Sequence, residues 1–232
     1  MSVNKEVVPI AIPGIHEKFF VYFSEVLKTY KSPKVLEVGA GHGAFTQKVH
    51  ESGYDITPCD LFPEIFHYDK LTCTKVDVSK KLPFEDNSFD IIIAVEVMEH
   101  IHDHQIFFEE SKRILKQGGR LIFSTPNILS LKSRVRFLFS GFYYSFEPLD
   151  HERRDGLQHV ASLTIDQYKN LGEIVGLKNM DIRFDKRQNS SRWLLFLLPA
   201  IWLFCKWKRL DYSIHNRIDH LTGRILFLSF TK

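Results

Sequence analysis

The run Val35-Leu36-Glu37-Val38-Gly39-Ala40-Gly41-His42-Gly43-Ala44-Phe45 constrains the fold of this chain more than any other segment. A short apolar strand carries a carboxylate near its end, three glycines follow at alternate positions, and an amphipathic helix begins. Glycine lets a backbone turn through positive φ and lets a ligand approach with no Cβ in the way. The helix start behind the turn offers N–H groups that no helical carbonyl satisfies. Strand, glycine turn and helix in this order predict a nucleotide-type loop in an α/β fold.

Two readings of the loop compete. Gly39, Gly41 and Ala44 satisfy the G-x-G-x-x-G/A dinucleotide pattern, and Asp60 stands about 20 residues on, where a ribose-binding acid belongs. This is the reading of an NAD(P)-dependent oxidoreductase. Glu37 opposes it, because a carboxylate at the strand end repels a pyrophosphate. The same carboxylate suits a ligand that carries an ammonium and a sulfonium, and S-adenosylmethionine is such a ligand. A solvated strand end is the plain alternative for Glu37.

Composition sets outer bounds. A chain of 232 residues suits one α/β domain with a proper core. The net charge of +3 comes without a polybasic tail, which disfavours nucleic acid as the main partner. Cys59, Cys73 and Cys205 show no C-x-x-C spacing, which fits a reducing compartment and no zinc ribbon. Residues 1–14 lack the apolar stretch of a secretory signal, so a cytoplasmic protein is expected.

Apolar periodicity predicts helices over 15–30, 45–52 and 105–116, and strands over 35–38, 55–59, 74–78, 89–95 and 120–124. Gly53 is placed to end the second helix, and Thr164 with Gln167 forms a capping box for a helix that Gly176 closes. Alternating strands and helices imply a mostly parallel sheet covered on both faces. Ligands of such sheets sit at the carboxyl ends of the strands, where Glu37, Asp60, Asp77 and Glu96 all fall.

The glycine loop, Asp60, Val76-Asp77-Val78, Leu82-Pro83-Phe84-Glu85-Asp86-Asn87-Ser88-Phe89-Asp90, Val95-Glu96-Val97-Met98-Glu99-His100-Ile101 and Leu115-Lys116-Gln117-Gly118-Gly119-Arg120-Leu121 follow one another in order. Together they resemble the class I S-adenosylmethionine-dependent methyltransferases. The resemblance is strong over 34–125 and weaker to 186 and over 223–232. It implies a Rossmann-like, seven-stranded sheet whose last strand, 224–230, runs antiparallel, with S-adenosylmethionine as cofactor. It places Glu37 at the methionine end, Gly39, Ala40, Gly41 and Gly43 beneath the ligand, Asp60 with Leu61 at the ribose, and Asp77 with Val78 at the adenine. Val95 and Glu96 border the same site. A single domain over 1–232 follows, with a leading helix at 14–30, a cofactor core at 33–126, an acceptor lid at 127–160, an apolar insertion at 190–210 and the last strand within 224–231.

Within that family, Glu96-x-x-Glu99-His100 is similar to a segment of the ubiquinone-biosynthesis O-methyltransferases and of small-RNA 2′-O-methyltransferases. There the segment is associated with a divalent metal and completed by a later histidine, whose place His159 takes here. The resemblance therefore implies Glu96, Glu99, His100 and His159 as ligands of Mg²⁺ or Mn²⁺. The alternative is a Glu–His pair that only braces the loop. His102 and His104 fall on a short loop and are expected in solvent.

Methyl transfer to oxygen is an in-line displacement for which the acceptor hydroxyl must lose its proton. His159 and His100 are the candidate bases, with His151 third and better explained as part of a charged surface loop.

Two apolar stretches bear on the acceptor. Residues 128–146 interleave aromatic and aliphatic side chains with Lys132, Arg134 and Arg136; residues 193–205 are wholly apolar, flanked by Arg192, Lys206, Lys208 and Arg209. As a helix the second would span about 20 Å, short of a hydrocarbon core of about 30 Å. Burial, an oligomer contact, or peripheral membrane contact through 192–209 stay open for it. The expected acceptor is a hydroxyl of a membrane-associated small molecule or lipid-linked sugar, with RNA ribose behind it. A cofactor-binding, membrane-docking pseudoenzyme is the non-enzymatic alternative.

Overall fold

Strand β4 (Phe89–Ala94) shows why the chain forms a covered sheet. Ile91 and Ile93 project to one face and Ile92 and Ala94 to the other, and all four are fully buried. A strand apolar on both faces needs a helix layer on each side. In this computed structural model, which describes residues 7–232, seven strands form one sheet in the order β3-β2-β1-β4-β5-β7-β6. The first six residues of the 1–14 segment lie outside the described residues.

β1 (Lys34–Val38), β2 (Asp55–Asp60), β3 (Thr74–Lys75), β4 and β5 (Leu115–Pro126) pair in parallel. β7 (Ile225–Thr231) inserts antiparallel between β5 and β6 (Lys178–Phe184), as the family resemblance implies for the last strand. One core joins α1 (Ile15–Leu27) and α2 (Ala44–Glu51) to Val35, Ile91 and Ile93. The other joins α3 (His104–Ile114) and α5 (Ile165–Val175) to Leu36, Ile92 and Phe123.

Some boundaries move for local reasons. α1 stops at Leu27, because Thr29 and Tyr30 turn back to the carbonyls of Val26 and Leu27. β3 ends at Lys75 rather than 78: the Asp77 carboxylate accepts from the Ser79 N–H at 3.0 Å and bends the chain into an Asx-type turn. α3 closes at Ile114, and Leu115 already pairs with Phe89. Gly118 and Gly119 therefore sit inside β5, at a register shift where a Cβ on Gly119 would lie 2.9 Å from the Asp90 carbonyl. The capping box of Thr164 and Gln167 opens α5, and Gly176 ends it with φ +85°.

After β5 the chain forms α4 (Leu131–Ser140). Between β6 and β7 it forms α6 (Asn189–Trp193), a 3₁₀ turn (Leu194–Leu197), α7 (Leu198–Lys208), α8 (Tyr212–His215) and α9 (Ile218–Thr222). The apolar run 193–205 is thus broken ahead of Pro199. Within α7 only Cys205 is buried, so the folded chain does not use this run as core. No helix among the described residues is long and apolar enough to cross a membrane.

Candidate active site

The strand order reverses between β1 and β4, and the crevice beyond their carboxyl ends is where such sheets bind ligands. A cavity of about 800 Å³ opens there. Its floor is the glycine loop. Gly39 has φ +74°, and a Cβ on it would lie 2.4 Å from the Val97 side chain. Gly41 has φ +52° and faces Ile10. Gly39, Ala40 and Gly41 line the cavity, while Gly43 lies behind it as the left-handed N-cap of α2, packed against Phe66.

Glu37 enters from β1, is 2% exposed and faces the cavity. Its carboxylate accepts a hydrogen bond from Thr46 at 2.5 Å and has no cation beside it among the described residues. Burial pushes its pKa up to about 8, against the pull of the Thr46 bond and with help from the charge on Asp60. A cavity with such a group favours a cationic ligand, which restores the ionised form.

Asp60 ends β2. Its two carboxylate oxygens accept from the backbone N–H groups of Gly41 and Phe62, each at 2.8 Å. That fixes its orientation and leaves one lone pair on each oxygen for ligand hydroxyls. Leu61, Val78 and Val95 line the cavity beside it. Asp77 stands apart: its carboxylate is engaged by Ser79 and by Lys80 at 2.9 Å, which hold its pKa below the usual carboxylate range.

The far wall is built where β4 ends. Glu96 has φ +54°, an uncommon left-handed conformation for a residue other than glycine. Its N–H donates to Ser124 Oγ, and Ser124 donates back to its carboxylate, both at 2.8 Å. This turn breaks the i, i+3 relation expected of Glu96 and Glu99. Only Met98–His100 form a 3₁₀ turn, and Glu96 is directed to Ser124 instead of the cluster around Glu99. The ligand set inferred from sequence is corrected on this point. Glu99, His100 and His159 each offer a ligand atom within 4.8 Å of the other two, and Glu96 is not among them.

The convergence on His159 has a visible cause. The N–H groups of Val160 and Ala161 donate to the Glu99 carbonyl at 2.8 and 3.2 Å, and His100 Nδ1 lies 2.9 Å from the Gln158 carbonyl. A carbonyl only accepts, so Nδ1 carries the proton and His100 Nε2 is the basic nitrogen. The two imidazoles meet edge to face with centroids 4.9 Å apart. Burial, then the neighbouring His100, lowers the His159 pKa to about 4, so it is neutral at pH 7. Burial also lowers His100. Glu99 is held well above the carboxylate range by burial and by Glu96, and Glu96 is raised to about 7 by burial. Glu99 Oε2 and His159 Nδ1 are buried without a hydrogen-bond partner.

The other histidines fall partly as expected. His151 is exposed, as its charged loop suggests. His102 is exposed too, but His104 is not: it opens α3, is 5% exposed and bonds through Nε2 to the Met98 carbonyl at 2.9 Å. The cavity also takes walls from segments that carry no sequence signal. Val8 to Ile12 pass across the glycine loop, where the Val8 carbonyl lies 3.1 Å from His42 Nδ1, and the loop at Asp155–Leu157 closes the side near His159.

Comparison with known proteins bears on this geometry. The family described as "Methyltransferase domain" matches residues 36–123. A demethylmenaquinone methyltransferase of Tropheryma whipplei (strain Twist) is 35% identical over 102 residues, 40% of this chain and 43% of the relative. The chain therefore spans less than half the length of that relative. A ubiquinone biosynthesis O-methyltransferase of Coxiella burnetii (strain RSA 331 / Henzerling II) is 26% identical over 167 residues, 66% of this chain and 67% of the relative. A SAM-dependent methyltransferase from Archaeoglobus fulgidus shares the fold with TM-score 0.61 and 16% identity, over 94% of both chains. Over residues 36–123 the chain thus matches the methyltransferase domain family, and its sheet as a whole has the fold of a SAM-dependent methyltransferase.

Proposed function

We propose that this chain transfers the methyl group of S-adenosylmethionine to a hydroxyl of a membrane-associated small molecule or lipid-linked sugar. The observation that carries the cofactor assignment is Glu37, a buried carboxylate facing the cavity with its pKa at about 8. It is poorly matched to a pyrophosphate and well matched to an ammonium. S-adenosylmethionine supplies a methyl group on a sulfonium, open to in-line displacement.

The chain's own groups then divide the work. Glu37 holds the amino-acid end, and the Gly39–Gly41 backbone lets the ligand lie close. Asp60, oriented by two backbone bonds, offers its remaining lone pairs to ribose hydroxyls. Leu61, Val78 and Ile101 exclude water around the base. His159, neutral and close to His100, accepts the acceptor's proton. The names of the quinone-related relatives support oxygen as the receiving atom, since one of them is an O-methyltransferase.

A second reading rests on Glu99, His100 and His159, whose ligand atoms lie mutually within 4.8 Å with two of them unpartnered. These donors fit one divalent cation, Mn²⁺ better than Mg²⁺ because two are imidazoles. Such an ion would lower the pKa of an acceptor hydroxyl. Activity lost on chelation and restored by Mn²⁺ supports this reading. Full activity under chelation reduces the cluster to a base and its brace.

The acceptor is tested with methyl-labelled S-adenosylmethionine against cell extract split into lipid, soluble and RNA fractions. Label in the lipid fraction is the expected result. Label confined to RNA would overturn the acceptor assignment.

A further inference from the structure

Two segments distant in sequence, α4 and the β6–β7 insertion, meet on one side of the fold. The Lys132 N–H donates to Ser191 Oγ at 3.2 Å, and Arg134 donates to Asn216 Oδ1 at 2.7 Å and to the His215 carbonyl at 2.9 Å. α4 also contacts the 3₁₀ turn that leads into α7. Both segments leave large apolar side chains in water. Phe139 and Trp193 are each 84% exposed, and Leu138, Phe196, Leu203 and Trp207 are exposed as well. Isolated exposed apolar residues are ordinary, but a concentration of this kind marks a contact surface.

Charge selects what makes the contact. Residues 127–146 and 186–210 contain no aspartate or glutamate at all. Arg192, Lys206, Lys208 and Arg209 are exposed there and form no ion pair among the described residues. Lys206 Nζ lies 5.1 Å from the Trp202 ring and Lys208 Nζ lies 4.0 Å from the Trp207 ring. Tryptophan with lysine beside it is the side-chain pairing of a membrane–water interface. A second copy of the chain fits less well, because a two-fold contact through this face would set its cations against their own copies.

We infer that the exposed faces of α4 and of the 192–209 segment form a docking surface for an anionic phospholipid bilayer. α7 has 11 residues, about 16 Å, so it lies in the interface and does not span it. The surface is coupled to the acceptor side of the cavity. Arg136 of α4 donates to the Phe146 carbonyl at 2.9 Å, and the Phe146 ring meets His159 edge-on at 5.3 Å. The inference stands on the surface itself and holds whether or not methyl transfer is the reaction.

The chain's three tryptophans, Trp193, Trp202 and Trp207, all lie on this surface, so selectively excited tryptophan emission reports on it alone. The test is vesicle flotation with tryptophan emission, using phosphatidylcholine vesicles with and without phosphatidylglycerol. The full chain is expected to float with the anionic vesicles, with a blue-shifted emission, and to come off as salt rises. The triple variant Arg192→Gln, Lys206→Gln, Lys208→Gln is expected to partition about a hundredfold more weakly, at roughly a factor of five per charge. The pair Phe196→Ser, Leu203→Ser keeps the charges and is expected to lose the blue shift. Absence of flotation overturns the inference. So does a blue shift that appears without vesicles and grows with protein concentration as the sedimenting mass doubles, because a second copy then covers the surface. S-adenosylhomocysteine binding measured on the same sample separates the two claims: binding without flotation sinks only the docking surface.

Discussion

Replacing Glu37 by glutamine should change affinity and stability in opposite directions, and both follow from one buried carboxylate. The amide keeps the size of the side chain and an oxygen that still accepts from Thr46. In the unliganded protein Glu37 has a pKa of about 8, against an ordinary 4.5. Only about a tenth of the molecules carry the charge at pH 7, and about a hundredth at pH 6. A ligand whose ammonium needs that charge must drive the ionisation. Affinity for S-adenosylhomocysteine should therefore rise on the order of fiftyfold from pH 6 to pH 8, with nearly one proton released per ligand bound at pH 7. Glu37→Gln should bind roughly ten- to a hundredfold more weakly at pH 8, as expected for a lost charge-assisted hydrogen bond, and release no proton. Stability runs the other way. A folded-state pKa above the unfolded one contributes stability that is full below pH 4.5 and is lost as pH rises through 8. The glutamine variant escapes that loss, so without ligand it should melt higher than the parent at pH 8, by at most about 4–5 kcal/mol, with the difference vanishing near pH 4.5. Calorimetry in two buffers of different ionisation enthalpy counts the protons, and thermal melts across pH give the stability. A parent protein whose affinity is flat from pH 6 to 8 would refute the reasoning.

Three further outcomes are expected. Gly39→Ala places a methyl 2.4 Å from Val97 at φ +74° and should cost about 2–3 kcal/mol; Gly53→Ala, at φ +88° in open space, should cost about 1 kcal/mol, and equal melting temperatures for the two would count against the loop geometry. Asp60→Ala should weaken S-adenosylhomocysteine binding by about 1–3 kcal/mol, and an unchanged dissociation constant would show that this carboxylate does not hold the ribose. His159→Phe should lower kcat roughly 10²- to 10⁴-fold at saturating donor. Because the His159 pKa lies at about 4, the parent's kcat should not follow its titration between pH 6 and 8, and an inflection near 6.5 that vanishes in His159→Phe would contradict its neutral state.

Sequence patterning carried much of this architecture for identifiable reasons. Strands apolar on both faces, such as Phe89–Ala94, and caps such as Thr164 with Gln167, are local signals that tertiary packing does not override. The juxtaposition of Glu99, His100 and His159 was legible through the family resemblance, and three backbone-directed hydrogen bonds realise it. What stayed illegible has equally physical causes. In β6, Met180, Ile182 and Phe184 alternate with polar residues and pack half-buried against the core, but this period is only three residues long, and pairing with β7 is what fixes the strand at the sheet edge. The left-handed Glu96 is set by Ser124, 28 residues away, and no local pattern announces it. Val8–Ile12 gain their place from the cavity they cover. His104 looked solvated because Tyr168, which packs against it, lies 64 residues on in another helix.

The most direct test of the central claim is a paired titration of the full chain with S-adenosylhomocysteine and NAD at pH 8, read by calorimetry. The buried Glu37 and the bracketed Asp60 predict micromolar binding of S-adenosylhomocysteine and none of NAD. Tight NAD binding with no response to S-adenosylhomocysteine would contradict the account and return the glycine loop to its dinucleotide reading.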